Sequence, residues 1–376
     1  MNVLFWFWGR TSGGARYSLE VAKALSKIPG VNLYLSLSRQ SEFFKDFEAL
    51  SLPGLHVDTY ESFGEMLWQA RHLPKYRLQL ASYIRENKID VVYSPMSHIW
   101  SCAIASIFRK SAVRYVLTMH DAITHKGDME WLKNFLLRHD VLASDSCITL
   151  TEAVKQGVHE IYDYPLNRIS VVPHGAFEYG DFGERSLPEG RPVRVLFYGR
   201  ILEYKGLGLL LDAMRMLFEK GFSHKLALEV WGEGDISPYQ KQLDSLSALG
   251  CPMHIVNRWI DESEIEEIFR RADICALPYV EASQSGVAAI AFAAGLPIVA
   301  TPQPGLLEQL HNGGGISSSQ VDPESYADAL LKLIQDPILY RELSESGLDQ
   351  VESSLSWDTI AQQVFNFLKH VLAQPC

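Results

Sequence analysis

The sequence predicts an α/β protein built from two doubly wound, Rossmann-like domains that face a central cleft. The chain has 376 residues, room for two domains at about 150 residues each. Short runs rich in Val, Ile, Leu and Phe alternate with segments of helical spacing, the pattern of parallel sheets joined by crossover helices. That alternation runs through the first half, breaks, and starts again.

In the first half the strand-like runs are 2–8, 31–37, 89–93, 113–119, 146–150 and 169–173. The second series is 193–198, 226–231, 253–256, 273–277 and 297–300. Between them apolar residues recur three and four apart, as in Leu209, Leu210, Leu211, Ala213, Met214, Leu217 and Phe218, which is helical periodicity. Residues 177–192 carry glycine, proline and charge without a period, as an interdomain segment does. The expected division is therefore 1–178, a linker at 179–192, and 193–355. Beyond Asp336-Pro337 one helix is expected to about Ser346, and another over 357–372 with Ile360, Ala361, Val364, Phe365 and Leu368 on one face. The segment 356–376 is expected to pack back on the first domain.

Composition narrows the function. The chain is 47% apolar and 21% charged, with net charge −11, so a polyanion such as nucleic acid is not an expected partner. Charge is uneven, near +1 over 1–180 and −12 over 181–376. Five scattered cysteines (Cys102, Cys147, Cys251, Cys275, Cys376) form no Cys-x-x-Cys pair, which fits a reducing cytoplasm better than a disulfide scaffold. The longest apolar run, 287–300, is too short for a bilayer span, and the start lacks a basic region of the secretory kind. A cytoplasmic location is expected.

Candidate ligand-binding residues sit where such sheets bind ligands, after strand ends. Gly13 and Gly14 precede a helical pattern at 15–25; a glycine turn there offers backbone N–H groups to an anion or a hydroxyl, or is simply a tight turn. Gly199-Arg200 and Lys205-Gly206 bracket one loop. Two cations so spaced can clamp a diphosphate, or belong to a solvated loop. Glu281, Ser283, Ser285, Gly286 and Val287 lie in a loop that opens the apolar helix 288–294; Ser283 or Ser285 can cap that helix, and the N–H groups at 285–287 would face a phosphate. His120-Asp121 and Pro173-His174-Gly175 follow two further strands. A histidine there contacts a sugar hydroxyl, or satisfies a loop carbonyl. No residue cluster has metal-ligand spacing, and no nucleophile elbow or Walker lysine motif occurs.

Taken in order, these features resemble the retaining GT-B glycosyltransferases of family 4 over nearly the whole chain. Gly13-Gly14 is similar to that family's amino-terminal glycine loop, His120 to its first-domain histidine, and residues 172–175 to the element leading into the linker. Gly199-Arg200 with Lys205-Gly206 resembles the diphosphate clamp, and residues 295–301 with Gly305 and Glu308 the late signature. The family's usual pair of glutamates would fall at Ala282 and Ile290 and is missing; the serine-rich loop is similar to a branch that carries it instead. The second glutamate usually holds the ribose.

The resemblance implies a metal-independent transferase with no cofactor, moving a hexose-type sugar from a nucleoside diphosphate to a glycan or lipid-linked acceptor, in cell-surface polysaccharide or glycolipid synthesis. It implies catalytic roles for His120, Arg200 and Lys205, donor binding by Gly13, Gly14, Gly199, Glu281, Ser283, Ser285, Gly286 and Val287, and acceptor-side roles for Asp121 and His174. Two alternatives remain at this point: a non-catalytic scaffold or sugar sensor, and a sugar-nucleotide epimerase or phosphorylase of the same fold. The stretch 63–83 mixes Phe63, Met66, Leu67, Trp68 and Leu73 with Arg71, His72, Lys75 and Arg77. It reads either as peripheral contact with an anionic membrane face or as a core-packing helix.

Overall fold

A computed structural model describes residues 1–123 and 130–374; Cys376 and the side chain of Phe63, both named above, lie outside the described positions. The chain forms two compact units, one of Met1–Pro173 with Trp357–Cys376 and one of His174–Ser356.

The first unit holds a six-stranded sheet. Its strands are β1 (Asn2–Phe7), β2 (Asn32–Leu37), β3 (Val91–Ser94), β4 (Arg114–Met119), β5 (Ser146–Thr149) and β6 (Ile169–Val171), in the order β2-β1-β3-β4-β5-β6. All neighbours are parallel. Val3, Leu4, Phe5, Trp6 and Phe7 are all buried, because both faces of a parallel sheet are covered and a central strand has no solvent side. Trp6 packs edge-on against Trp8 and Phe108, with ring centroids 5.5 and 5.0 Å apart.

The second unit repeats the plan with β7 (Val193–Tyr198), β8 (Leu226–Trp231), β9 (Met253–Val256), β10 (Ile274–Leu277), β11 (Ile298–Ala300) and β12 (Gly315–Ser317), ordered β12-β11-β10-β7-β8-β9 and parallel throughout. Strand β12 was not expected. It has three half-buried residues after Gly313 and Gly314, too short and too polar to give an apolar run.

The division falls at Pro173/His174 rather than after 178, and residues 179–192 belong to the second unit instead of linking two bodies. Arg185 is the reason. Its guanidinium donates to the carbonyls of Ala294 (2.7 Å), Ala272 (2.7 Å) and Phe269 (3.0 Å), satisfying the open ends of two helices. Further on, Arg191 binds Asp273 through two bonds of 2.6 and 2.8 Å, and the Arg194 amide donates to the same carboxylate at 2.8 Å. A segment without hydrophobic period is thus held by polar bonds that periodicity does not reveal.

The Trp357–Ala373 helix packs along the Ser12–Ser26 helix. Ile360, Ala361, Val364 and Leu368 are fully buried, and Arg114 donates to the Gln374 carbonyl at 2.9 Å. Leu368→Ala is expected to cost about 2–5 kcal/mol through the cavity it leaves, read as a lowered thermal midpoint.

Candidate functional site

In the second unit, loops after β7, β10 and β11 come together by close backbone approach. Gly206, at φ +71°, lies against Pro278, and a Cβ there would meet the Pro278 carbonyl oxygen at 1.8 Å. The Val280 amide donates to the Tyr204 carbonyl at 2.8 Å. A Cβ on Gly305 would stand 2.0 Å from the Ser283 carbonyl oxygen, so only glycine admits the Pro304–Gln309 helix at the serine loop.

These contacts place the chemistry. The Lys205 ammonium lies 3.8 Å from the centroid of the Tyr279 ring, a cation–π contact that orders a flexible cation. Tyr279 is buried, which raises its hydroxyl's proton affinity and keeps it neutral, and that hydroxyl pairs with Ser285 Oγ at 3.2 Å. Gln309 clamps Ser285 from the other side, accepting its N–H at 2.8 Å and donating to its carbonyl at 3.1 Å. Ser285 therefore stands at the N-cap position of the Gly286–Ala293 helix without capping it by its side chain. The expectation that its N–H meets a phosphate is corrected, because Gln309 holds that hydrogen. The N–H groups of Gly286 and Val287, in the helix's first turn, have no carbonyl four residues back and mark the positive dipole end.

Gly199 donates its amide to the Trp231 carbonyl at 2.9 Å. Arg200 beside it is exposed and makes no hydrogen bond or ion pair with a described residue. Glu281 is exposed on the loop surface. Ile290, at the second glutamate's place, is buried. Gln284 Oε1 is buried without a hydrogen-bond partner among the described residues, an acceptor that a ligand hydroxyl would satisfy.

His174 is corrected in its assignment. It belongs to the second unit, buried, with Nδ1 2.7 Å from the Gly175 carbonyl. A Cβ on Gly286 would lie 3.8 Å from its Nε2. It thus flanks the helix start of the serine loop and not the strands of the first unit.

In the first unit the Ser12–Ser26 helix takes Gly13 and Gly14 into its first turn, where a separate glycine loop was expected. Gly14 lies under Met96, whose side chain would be 2.4 Å from a Cβ there. His120, just past β4, puts Nε2 3.0 Å from the Pro95 carbonyl, so Nε2 carries the hydrogen. Its ring meets Tyr17 edge-on at 4.8 Å, and Tyr17 meets Trp357 at 5.6 Å. Burial lowers His120's proton affinity more than the Pro95 bond and the Asp121 charge raise it. Nearby Tyr60, His98 and Trp100 form a ring cluster, with Arg10 4.7 Å over Tyr60. Burial and then the Arg10 charge push His98 down to about 3. No group of three His, Cys, Asp or Glu side chains suited to a metal gathers among the described residues. No helix among them is long and apolar enough to cross a membrane.

Comparison with known proteins decides the class. Residues 11–176 match the family described as Glycosyltransferase Family 4, and residues 192–336 the one described as Glycosyl transferases group 1. The chain belongs to the family-4 glycosyltransferases. A D-inositol 3-phosphate glycosyltransferase of Corynebacterium glutamicum is 29% identical over 96% of this chain and 93% of its own. The uncharacterized glycosyltransferase MJ1607 of Methanocaldococcus jannaschii is 27% identical, the match spanning 60% of each chain. The structure of Anabaena HepE in complex with UDP superposes with a TM-score of 0.74 at 16% identity, covering 98% of this chain and all of that one. The fold of this glycosyltransferase is thus GT-B.

The sequence reading found Lys205 and the serine loop but missed Tyr279 and Gln309, which hold them. Tyr279 reads as a strand-end aromatic, and Gln309 as a lone amide in a short helix. Gln309→Leu strands the buried Ser285 N–H and carbonyl and is expected to cost about 1–3 kcal/mol, read as a lowered melting temperature, and to weaken nucleoside diphosphate binding in calorimetric titration.

Proposed function

We propose that the enzyme transfers a hexose-type sugar from a nucleoside diphosphate donor to a glycan or lipid-linked acceptor, with retention of anomeric configuration and without a divalent metal. The carrying observation is Lys205 held over Tyr279, next to the first turn of the Gly286–Ala293 helix, with Arg200 exposed after the neighbouring strand. Two cations and a helix N-terminus oppose the two negative charges that develop on a departing diphosphate. The UDP held by Anabaena HepE supports a nucleotide of this kind. Gln284, with its unpartnered acceptor, takes the ribose hydroxyl in place of the absent glutamate; Gly199, Ser283 and Glu281 line the donor loops.

In this reaction the bond from the anomeric carbon to phosphate breaks and a bond to the acceptor oxygen forms on the same face. The acceptor's proton passes to the leaving phosphate oxygen, so no carboxylate nucleophile is required. The first unit receives the acceptor, with Gly13, Gly14 and Asp121 near His120. The neutral His120 ring, held by Nε2 against the Pro95 carbonyl, contacts a sugar hydroxyl at the reacting end of this unit. Synthesis of surface polysaccharide or glycolipid at the inner membrane face is the setting we infer. A sensor would release no nucleotide, and an epimerase would convert the donor without an acceptor.

The test is release of nucleoside diphosphate from a panel of nucleotide sugars with glycan and lipid acceptors, a chelator being present throughout. Arg200→Ala and Lys205→Ala should each lower turnover about a hundredfold or more with the fold intact; near-normal turnover in both would remove the clamp.

His120→Ala should keep nucleoside diphosphate affinity yet lose about ten- to a thousandfold in turnover. Since burial lowers its proton affinity, the ring is neutral at pH 7 and turnover should be flat above that. The unfolded chain binds this proton first, so acid below about pH 6.5 works against both fold and rate. A destabilised but fully active variant would end the catalytic assignment.

A further inference from the structure

At the end of the first sheet where β3 and β4 begin, a groove of about 680 Å³ lies between the Leu73–Glu86 helix and residues 107–113. Its walls carry Arg77, Arg85, Lys88 and Lys110 beside Leu78, Ile84 and Ile107, and no carboxylate. Arg77 is anchored by its bonds to the Ala103 carbonyl and to Ser106 Oγ. Lys88 and Lys110 are exposed, and their ammonium groups make no hydrogen bond or ion pair with a described residue. The nearest carboxylates in sequence are occupied, Glu86 by the Ser82 hydroxyl at 2.7 Å and Asp90 by the Asn2 amide at 2.7 Å. In a chain of net charge −11, four cations without a matching carboxylate are a local reversal of sign.

The groove continues into an apolar stripe. Helical backbone runs from Phe63 to Glu86 through one 3₁₀ turn. Along it Leu67, Arg71, Pro74 and Leu78 follow at spacings of four, three and four, so they share one face. Leu67 and Trp68 are each 63% exposed and Leu78 is 75% exposed, while the Arg71 guanidinium stacks 3.5 Å over the Trp68 ring. The inner face is closed, with Tyr76, Leu80 and Ile84 buried. The core-packing reading of residues 63–83 thus holds for one face of this helical segment, and the opposite face is left exposed.

We infer that this face docks on an anionic lipid surface, Leu67, Trp68 and Leu78 entering the headgroup boundary while Arg85, Lys88 and Lys110 take lipid phosphates in the groove. Charge complementarity selects this occupant. Exposed Trp and Leu beside Lys and Arg that face no carboxylate suit an interface where apolar insertion and attraction to anionic headgroups add together. The inference rests on the proposed membrane-face setting and identifies the surface that would serve it.

The full chain is mixed with sedimentable vesicles of phosphatidylglycerol or of phosphatidylcholine at low salt. Partition onto phosphatidylglycerol is expected, lost in high salt, and reduced about a hundredfold in Arg85→Gln/Lys88→Gln/Lys110→Gln, at roughly fivefold per charge removed. Trp68→Ser/Leu78→Ser should reduce it with the salt dependence kept. Melting temperature and nucleoside diphosphate titration of each variant should match the unaltered chain, which separates failure of this surface from failure of the donor site. Equal binding to phosphatidylcholine, no binding to phosphatidylglycerol, or displacement by millimolar glycerol phosphate, the mark of a soluble phosphate site, would each overturn it.

Discussion

The second unit of this enzyme depends on backbone lying directly against backbone. At Gly206 against Pro278, and at Gly305 against Ser283, no Cβ fits, so the loops after three different strands are held at atomic contact. Everything chemical in that unit is arranged on this footing. Lys205 comes over the Tyr279 ring, and Gln309 reaches both backbone groups of Ser285. Preorganisation of this kind matters because a charge positioned before the reaction needs no rearrangement as negative charge develops.

Burial suppresses charge in both units, lowering the proton affinity of bases and raising that of acids. In the first it pushes His98 down to about 3, lowers the proton affinity of His120 and raises the Cys147 thiol to about 12. In the second it raises the proton affinities of Tyr279 and Cys275, the latter to about 12. The Tyr279 ring therefore presents a neutral π face to Lys205. A tyrosinate in that place would instead form an ion pair with the Lys205 ammonium.

Much of this was legible in the sequence because parallel sheets advertise themselves. The runs from 2–8 to 297–300 each coincide with a strand to within a few residues, since strands buried on both faces must be continuously apolar. Strand β12 escaped notice because three residues among glycines carry no such run. The end of the first unit was misplaced because Arg185, Arg191 and Asp273 hold residues 179–192 by polar bonds without periodicity. At the site, Arg200, Lys205 and the serine loop could be read as charge and glycine in a recognised order. Their supports could not: Gln309 lies twenty-four residues from Ser285 along the chain, and His174 changes sides through where the chain passes from one unit to the other.

The placement of the last helix makes the first unit discontinuous and the second continuous. During synthesis the second unit has all its strands once residue 317 is made, whereas the first waits for the final turns to leave the ribosome. Until then, the groove beside the Ser12–Ser26 helix stays open, with Tyr17 lacking the Trp357 ring that it meets in the finished protein. A chain that stopped short of residue 357 would hold every residue of the second unit and leave the first without the helix that closes it.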